Sequence, residues 1–86
     1  MSSFKLTVCT PTGNAFSGDA TMLSLRGAEG DLAILKGHIP FVTTIIEGEC
    51  KIVLEDQTEQ KYTTGTGLLS VGKDAVTVLV GTFEKI

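Results

Sequence analysis

The sequence predicts an all-β domain, a two-sheet antiparallel β-sandwich of about eight to ten short strands. Three observations carry that expectation. Seven Val, six Ile and twelve Thr make 25 of the 86 residues, and β-branched side chains suit a pleated, half-buried surface. Apolar and polar residues alternate with a period of two in short runs, and no stretch sustains the 3.6-residue period of a helix. Ten glycines break the chain into short segments, with turn signals about every 8–12 residues, as a sandwich requires. One sheet alone could not bury both the leucine and the valine sets, so two face-packed sheets are expected.

The elements follow in order. Phe4, Leu6 and Val8 alternate with Lys5, Thr7 and Cys9, and the run ends at Thr10-Pro11-Thr12-Gly13. Thr21, Leu23 and Leu25 alternate with Met22, Ser24 and Arg26 and stop at Gly27. Ile52 and Leu54 face away from Lys51 and Glu55, and Asp56-Gln57 reads as a turn. Leu69 and Val71 follow the glycine-rich turn Gly65-Thr66-Gly67, and Gly72-Lys73-Asp74-Ala75 turns the chain into Val76 to Val80. There is no linker, low-complexity run or internal repeat, so residues 1–86 are expected to form one domain.

Size and charge restrict the function classes. A chain this short buries only roughly 60–65% of its unfolded surface, so its core is thin. Six Lys and one Arg are scattered singly among ten acids, giving a net charge of −3. Nucleic acid and anionic membrane surfaces both call for a basic stripe, which this pattern lacks. There is no apolar run long enough to span a bilayer as a helix, and Met1-Ser2-Ser3-Phe4-Lys5 lacks the apolar core of a signal peptide. The expectation is a soluble, intracellular domain in which Cys9 and Cys50 are reduced thiols.

No residue constellation predicts catalysis. Gly65-Thr66-Gly67-Leu68-Leu69-Ser70 superficially resembles a dinucleotide loop but lacks the third glycine, the following helix and the βαβ context. Cys9, Cys50 and His38 lack the paired spacing of a zinc or nucleophile–base set. Glu47 and Glu49 flank Gly48, where a carboxylate pair astride a tight turn faces solvent. The sequence thus predicts no catalytic residue, no metal and no cofactor.

The segment from Arg26 to Pro40 holds three glycines, two acids, a histidine and a proline. Its glycines permit positive φ and close backbone approaches, and Pro40 drives the preceding residue away from the helical region. It reads as a loop pair around a short strand, Leu32 to Ile34, presenting Glu29, Asp31 and His38. Binding residues concentrate on such loops when a rigid scaffold holds them.

Phe16-Ser17-Gly18, then Gly27-Ala28-Glu29-Gly30-Asp31-Leu32, then Gly37-His38-Ile39-Pro40-Phe41-Val42-Thr43 resemble the epsilon-subunit family of rotary F-type ATP synthases. Gly67-Leu68-Leu69-Ser70-Val71 and Val76-Thr77-Val78-Leu79 fit later segments of the same pattern. The likeness runs in order and spacing from about Phe4 to Thr82. Ala33, Lys36, Ile39 and Thr66 depart from the family's usual residues. The family also continues into a C-terminal two-helix hairpin that inhibits ATP hydrolysis and, in some members, binds ATP. The present sequence stops at Ile86, so neither property is carried over.

The resemblance implies a non-catalytic part of the central stalk, bound to the gamma subunit and to the polar loops of the c-ring. Its implied place is the cytoplasmic face of the bacterial membrane, reached only through a proton- or sodium-driven complex. It assigns Glu29, Asp31 and His38 to a c-ring-facing edge, where carboxylates suit a loop carrying a basic group. Phe41, Val42 and Thr43 are its candidates for the gamma contact. Two alternatives come from other classes. A lipoyl- or biotinyl-type carrier would use Lys73 in its turn, but such domains place that lysine near mid-chain between quasi-repeated halves. A generic protein- or sugar-binding sandwich is the other, although Trp is absent and Tyr62 is the only Tyr.

Overall fold

Alternation of side chains does build the chain into strands. A computed structural model describes residues 3–37 and 39–86, and among them there are nine strands and no helix. They are β1 (Phe4–Thr10), β2 (Gly13–Gly27), β3 (Gly30–Leu35), β4 (Phe41–Ile45), β5 (Gly48–Leu54), β6 (Glu59–Thr64), β7 (Gly67–Val71), β8 (Ala75–Val80) and β9 (Phe83–Lys85). The all-β expectation and the strand number both hold.

The period-two reading fixes the core. Phe4, Leu6 and Val8 are buried from β1, Leu23 and Leu25 from β2, and Cys50 and Ile52 from β5. Leu69 and Val71 of β7 meet Val76, Val78 and Val80 of β8 in the same cluster. At roughly 1.5–3 kcal/mol for each fully buried aliphatic side chain, this cluster is what opposes the chain's conformational entropy.

Where two antiparallel sheets were expected, hydrogen bonding joins the nine strands into one mixed sheet, because β2 pairs strands on both of its sides and a parallel β1–β8 pair links the rest. The pairing runs β1–β8–β7–β4–β2–β5–β6–β9, and β2 also pairs β1 and β3. Five strands, β1, β8, β7, β4 and β2, therefore close a ring. All pairs are antiparallel except β1–β8, which is parallel, with Leu6 opposite Val76 and Val8 opposite Val78. Parallel neighbours cannot be joined by a hairpin, and here nearly the whole chain lies between the two strands.

β2 makes the closure possible. Its 15 residues would reach about 50 Å if straight, whereas the molecule's longest dimension is 31 Å. The strand must bend, and its pairing with β5 is irregular between Ala20 and Met22. Ala20, fully buried, stands opposite Phe4 on one side and Leu54 on the other. The first half of β2 thus pairs β1 and the second half pairs β3 and β5.

Two turns show the backbone chemistry at work. After β5, the Gln57 N–H donates to the Leu54 carbonyl (2.9 Å) and the Leu54 N–H to the Thr58 carbonyl (2.9 Å). This three-residue loop places Gln57 at φ 72°, the left-handed position that closes such hairpins. At Gly67, a Cβ would stand 1.9 Å from the Leu79 carbonyl oxygen. The Gly65-Thr66-Gly67 segment is a structural turn with a backbone crossing that only glycine allows.

Candidate interaction surfaces

Register decides what the ring shows to solvent. Successive residues of a strand point to opposite faces, so the chain neighbours of the core residues in β4, β7, β8 and β1 point outward. One outward row runs Val42, Ser70, Thr77, Thr7 and Ser17, and the next runs Thr44, Leu68, Leu79, Cys9 and Asn14. Neither row holds a charged side chain. Charges begin only in the following row, with Lys5 opposite Asp19 and Ala75. Five strands at about 4.8 Å spacing make this neutral face roughly 20 Å wide. Val42 is 66% exposed, and Leu68 and Leu79 are 47% exposed each. Charge depletion around solvent-facing apolar side chains is the compositional mark of an interface core.

The second surface lies where two turns meet. The Ala28 N–H donates to the Thr44 carbonyl (3.1 Å) and the Ile46 N–H to the Arg26 carbonyl (3.0 Å). These bonds set the β2–β3 turn beside the β4–β5 turn, so Glu29 and Asp31 share one end with Glu47 and Glu49. All four are exposed. Arg26 Nε pairs with Asp31 Oδ1 at 3.2 Å, directly across the β2–β3 ladder. Ile46, 37% exposed, precedes Glu47 at this end.

The residues singled out in the sequence fall on both surfaces. Glu29 and Asp31 are brought together at the acidic end, and His38 lies outside the described residues. Val42 sits on the neutral face, and Phe41 is exposed at the start of the same strand. Thr43 is half-buried opposite Leu69, on the other side of β4 from Val42 and Thr44. Leu68, Leu79 and Thr44 were missed. Their signal was present: Leu68-Leu69 and the unbroken run Val78-Leu79-Val80 put apolar side chains on both faces of a strand, as strands covered on both sides do.

The remaining polar chemistry is modest. Both cysteines are free thiols. Burial pushes the Cys50 thiol up to about 12, which leaves it protonated and unreactive at neutral pH. Cys9 is half-buried at the edge of the neutral face, and its Sγ donates to Asn14 Oδ1 at 3.3 Å. Burial, and next the Cys50 thiolate, raise the Tyr62 phenol; its ring stacks on Phe83 with centroids 4.3 Å apart. Asp56 is held low by hydrogen bonds from Thr58, the side chain first and the backbone N–H second. Lys73 is exposed in the β7–β8 turn, where the Gly72 N–H donates to the Ala75 carbonyl (2.7 Å).

Comparison with known proteins gives these surfaces a family context. The family model of the ATP synthase Delta/Epsilon chain β-sandwich domain matches residues 3–86. The chain is 38% identical over 84 residues to the ATP synthase epsilon chain of Bacillus velezensis, covering 98% of this chain and 63% of that one. It is 37% identical to the Bacillus subtilis epsilon chain with the same coverage. Against the epsilon chain of Acinetobacter baumannii it is 38% identical over 82 residues, 95% of this chain and 59% of that one. The chain therefore spans about three-fifths of the length of these relatives.

Among solved structures, it superimposes on a chain of the Euglena gracilis mitochondrial ATP synthase OSCP/F1/c-ring assembly with a TM-score of 0.91. Identity there is 18%, over 96% of this chain and 53% of that chain. A chain of the Tetrahymena thermophila mitochondrial ATP synthase central stalk/c-ring assembly gives a TM-score of 0.77 at 15% identity, over 92% and 63%. At these identities the likeness shows the fold.

Proposed function

The chain belongs to the ATP synthase Delta/Epsilon chain β-sandwich family, and from that premise we propose that it works as part of the rotor of an F-type ATP synthase. It fastens gamma to the c-ring so that ion-driven rotation reaches the catalytic subunits. It takes no part in the chemistry, and it meets the membrane only through the complex, at the cytoplasmic face of a bacterial cell.

The observation that carries this reading is the pair of chemically unlike surfaces on one closed sheet. A coupling part has to transmit torque, which calls for stiffness and broad contact. The five-strand ring supplies the stiffness, because each of its strands is hydrogen-bonded to two others of the ring, β4 and β2 through the single pair Gly27 and Ile45. The neutral face, through Val42, Thr44, Leu68 and Leu79, docks gamma by apolar burial, with Phe41 exposed on the opposite side of the same strand. Thr43 supports that face from beneath. Standard interfaces bury about 800 Å² per partner, within reach of this face plus its flanking loops. The acidic end, through Glu29 with Asp31 and with His38 by family resemblance, meets a basic polar loop of the c-ring. Exposed charge pairs contribute only about 0–1 kcal/mol each, so they set register and partner choice.

The test is co-migration on size exclusion. The purified chain is mixed with a catalytic head that retains gamma and lacks epsilon, and with the complete rotor including its c-ring. Stoichiometric binding to both, with Glu29→Ala/Asp31→Ala impaired only on the complete rotor, is the expected result. A folded chain that binds neither at micromolar concentration overturns the reading.

A further inference from the structure

The neutral face is not flat. β1 and β8 run side by side as far as Cys9 opposite Leu79, the last pair of their ladder. Beyond it β1 turns toward β2 at Thr10-Pro11, while β8 keeps its pairing with β7 at Val80 and passes on to Gly81. The two strands part there. Between them opens a cleft of about 350 Å³, lined by Cys9, Thr10, Pro11, Leu79, Val80 and Gly81. It continues the outward row that runs Thr44, Leu68, Leu79 and Cys9.

The hydrogen-bonding groups around the cleft are engaged elsewhere. Cys9 Sγ donates to Asn14 Oδ1 at 3.3 Å. The Thr10 hydroxyl donates to the Gly13 carbonyl at 3.1 Å and lies 3.1 Å from the Thr12 hydroxyl. The Gly81 N–H donates to the Thr66 carbonyl at 3.3 Å, and Pro11 has no N–H to offer. No Asp, Glu, Lys, Arg or His is among the six lining residues. A polar group entering would lose water without gaining a partner, which costs free energy, whereas an apolar one is favoured by leaving water.

We propose that this cleft is the anchor pocket of the gamma interface and takes a single aliphatic or aromatic side chain from an uncharged surface of gamma. Its volume stands at the small end of the roughly 300–1,000 Å³ of ligand pockets, so one side chain fills it. Binding energy concentrates on such anchors, seated in pockets and ringed by neutral contacts that exclude water. Leu68, Ser70 and Thr77 of the two outward rows supply that ring. Gly81 keeps the pocket open: a Cβ there meets nothing within 4 Å, so the missing side chain leaves space and relieves no clash. The inference rests on the rotor reading, in which gamma docks on the neutral face, and adds where on that face the affinity lies.

Two measurements on a catalytic head that retains gamma and lacks epsilon test it. The first uses Cys9 as a reporter in the cleft wall, since Cys50 is buried. Iodoacetamide labelling of Cys9 at pH 8, read from the mass of this chain, should slow by at least about tenfold when the head is bound. The second fills the cleft. Gly81→Leu should weaken binding by about thirtyfold or more, the share of a hot spot. Gly81→Ala, whose methyl leaves most of the space open, should stay within about twofold. Both variants should unfold within a few degrees of the unaltered chain, and if Gly81→Leu does not, the labelling decides alone.

A bound head with Cys9 labelled as fast as in the free chain, or a folded Gly81→Leu that binds as well as Gly81→Ala, overturns the pocket while leaving the rotor reading intact. Absence of binding by the unaltered, folded chain overturns both.

Discussion

At the scale of single residues, two backbone positions carry more than their side chains would indicate. Gln57 closes the β5–β6 turn at φ 72°, a conformation that costs an L-residue about 1–2 kcal/mol. Glycine reaches it freely but loses roughly 0.5–1 kcal/mol of unfolded-state entropy. Gln57→Gly should therefore stabilise the chain by about 0.5 kcal/mol, read as a rise in the urea midpoint at unchanged slope. Gly67 is the opposite case. Its missing side chain is where the Leu79 carbonyl passes, and that oxygen belongs to a core strand that cannot step back. Gly67→Ala should cost more than about 3 kcal/mol or abolish folding, because overpacking against backbone has no rotamer to relieve it. Circular dichroism during thermal unfolding would show it, and Gly81→Ala, where a Cβ meets nothing within 4 Å, is the control.

At the scale of elements, the strands were legible in the sequence wherever alternation was clean. β1 reads as Phe4, Leu6 and Val8 inward, and the structure buries those three. The β4–β7–β8 face was harder to read, for a physical reason. Leu68 and Leu79 are apolar on the solvent side, so a period-two reading cannot tell inward from outward in Leu68-Leu69 or Val78-Leu79-Val80. Only the cross-strand register, which depends on non-local pairing, lines them up beside Val42 and Thr44. The parallel β1–β8 pair was illegible for the same reason, since partners about 70 residues apart leave no local mark. The acidic end was half legible: Glu29 and Asp31 stood out within their loop, while Glu47 and Glu49 joined them only through the two backbone bonds between turns. If the neutral face docks gamma, Leu68→Lys and Leu79→Lys should each weaken binding to a gamma-containing head by at least about tenfold. Their stability should change by only about 0.5 kcal/mol, since both side chains are already half in solvent. Equal binding by both variants would remove the face from the interface.

At the scale of the whole molecule, stability depends on a thin core, and one member of that core can ionise. Cys50 is 1% exposed, packed in the same cluster as Ile52, and its thiol is raised from 9.0 to about 12 by burial alone. The unfolded chain releases this proton near pH 9, whereas the folded chain keeps it until about pH 12. Between those values the folded state binds one proton more than the unfolded state, so stability falls as pH rises, by about 1.4 kcal/mol per pH unit. The contribution is complete below pH 9 and lost progressively above it. Tyr62 moves in the same direction, first through burial and then through the charge on Cys50. Lysines also discharge in this range, so the informative quantity is the difference between the chain and Cys50→Ala. That variant should be less stable at pH 7 through the small cavity it leaves, yet the gap between the two should narrow steadily from pH 9 to pH 11. Iodoacetamide labelling at pH 8 reports the same asymmetry by mass: the half-exposed Cys9 should take up one group first, and Cys50 only as fast as the molecule opens. A parallel pH dependence for chain and variant, with both thiols labelled together, would mean that the core admits water around β5 and that the β2–β5–β6 part of the sheet is looser than its pairing implies.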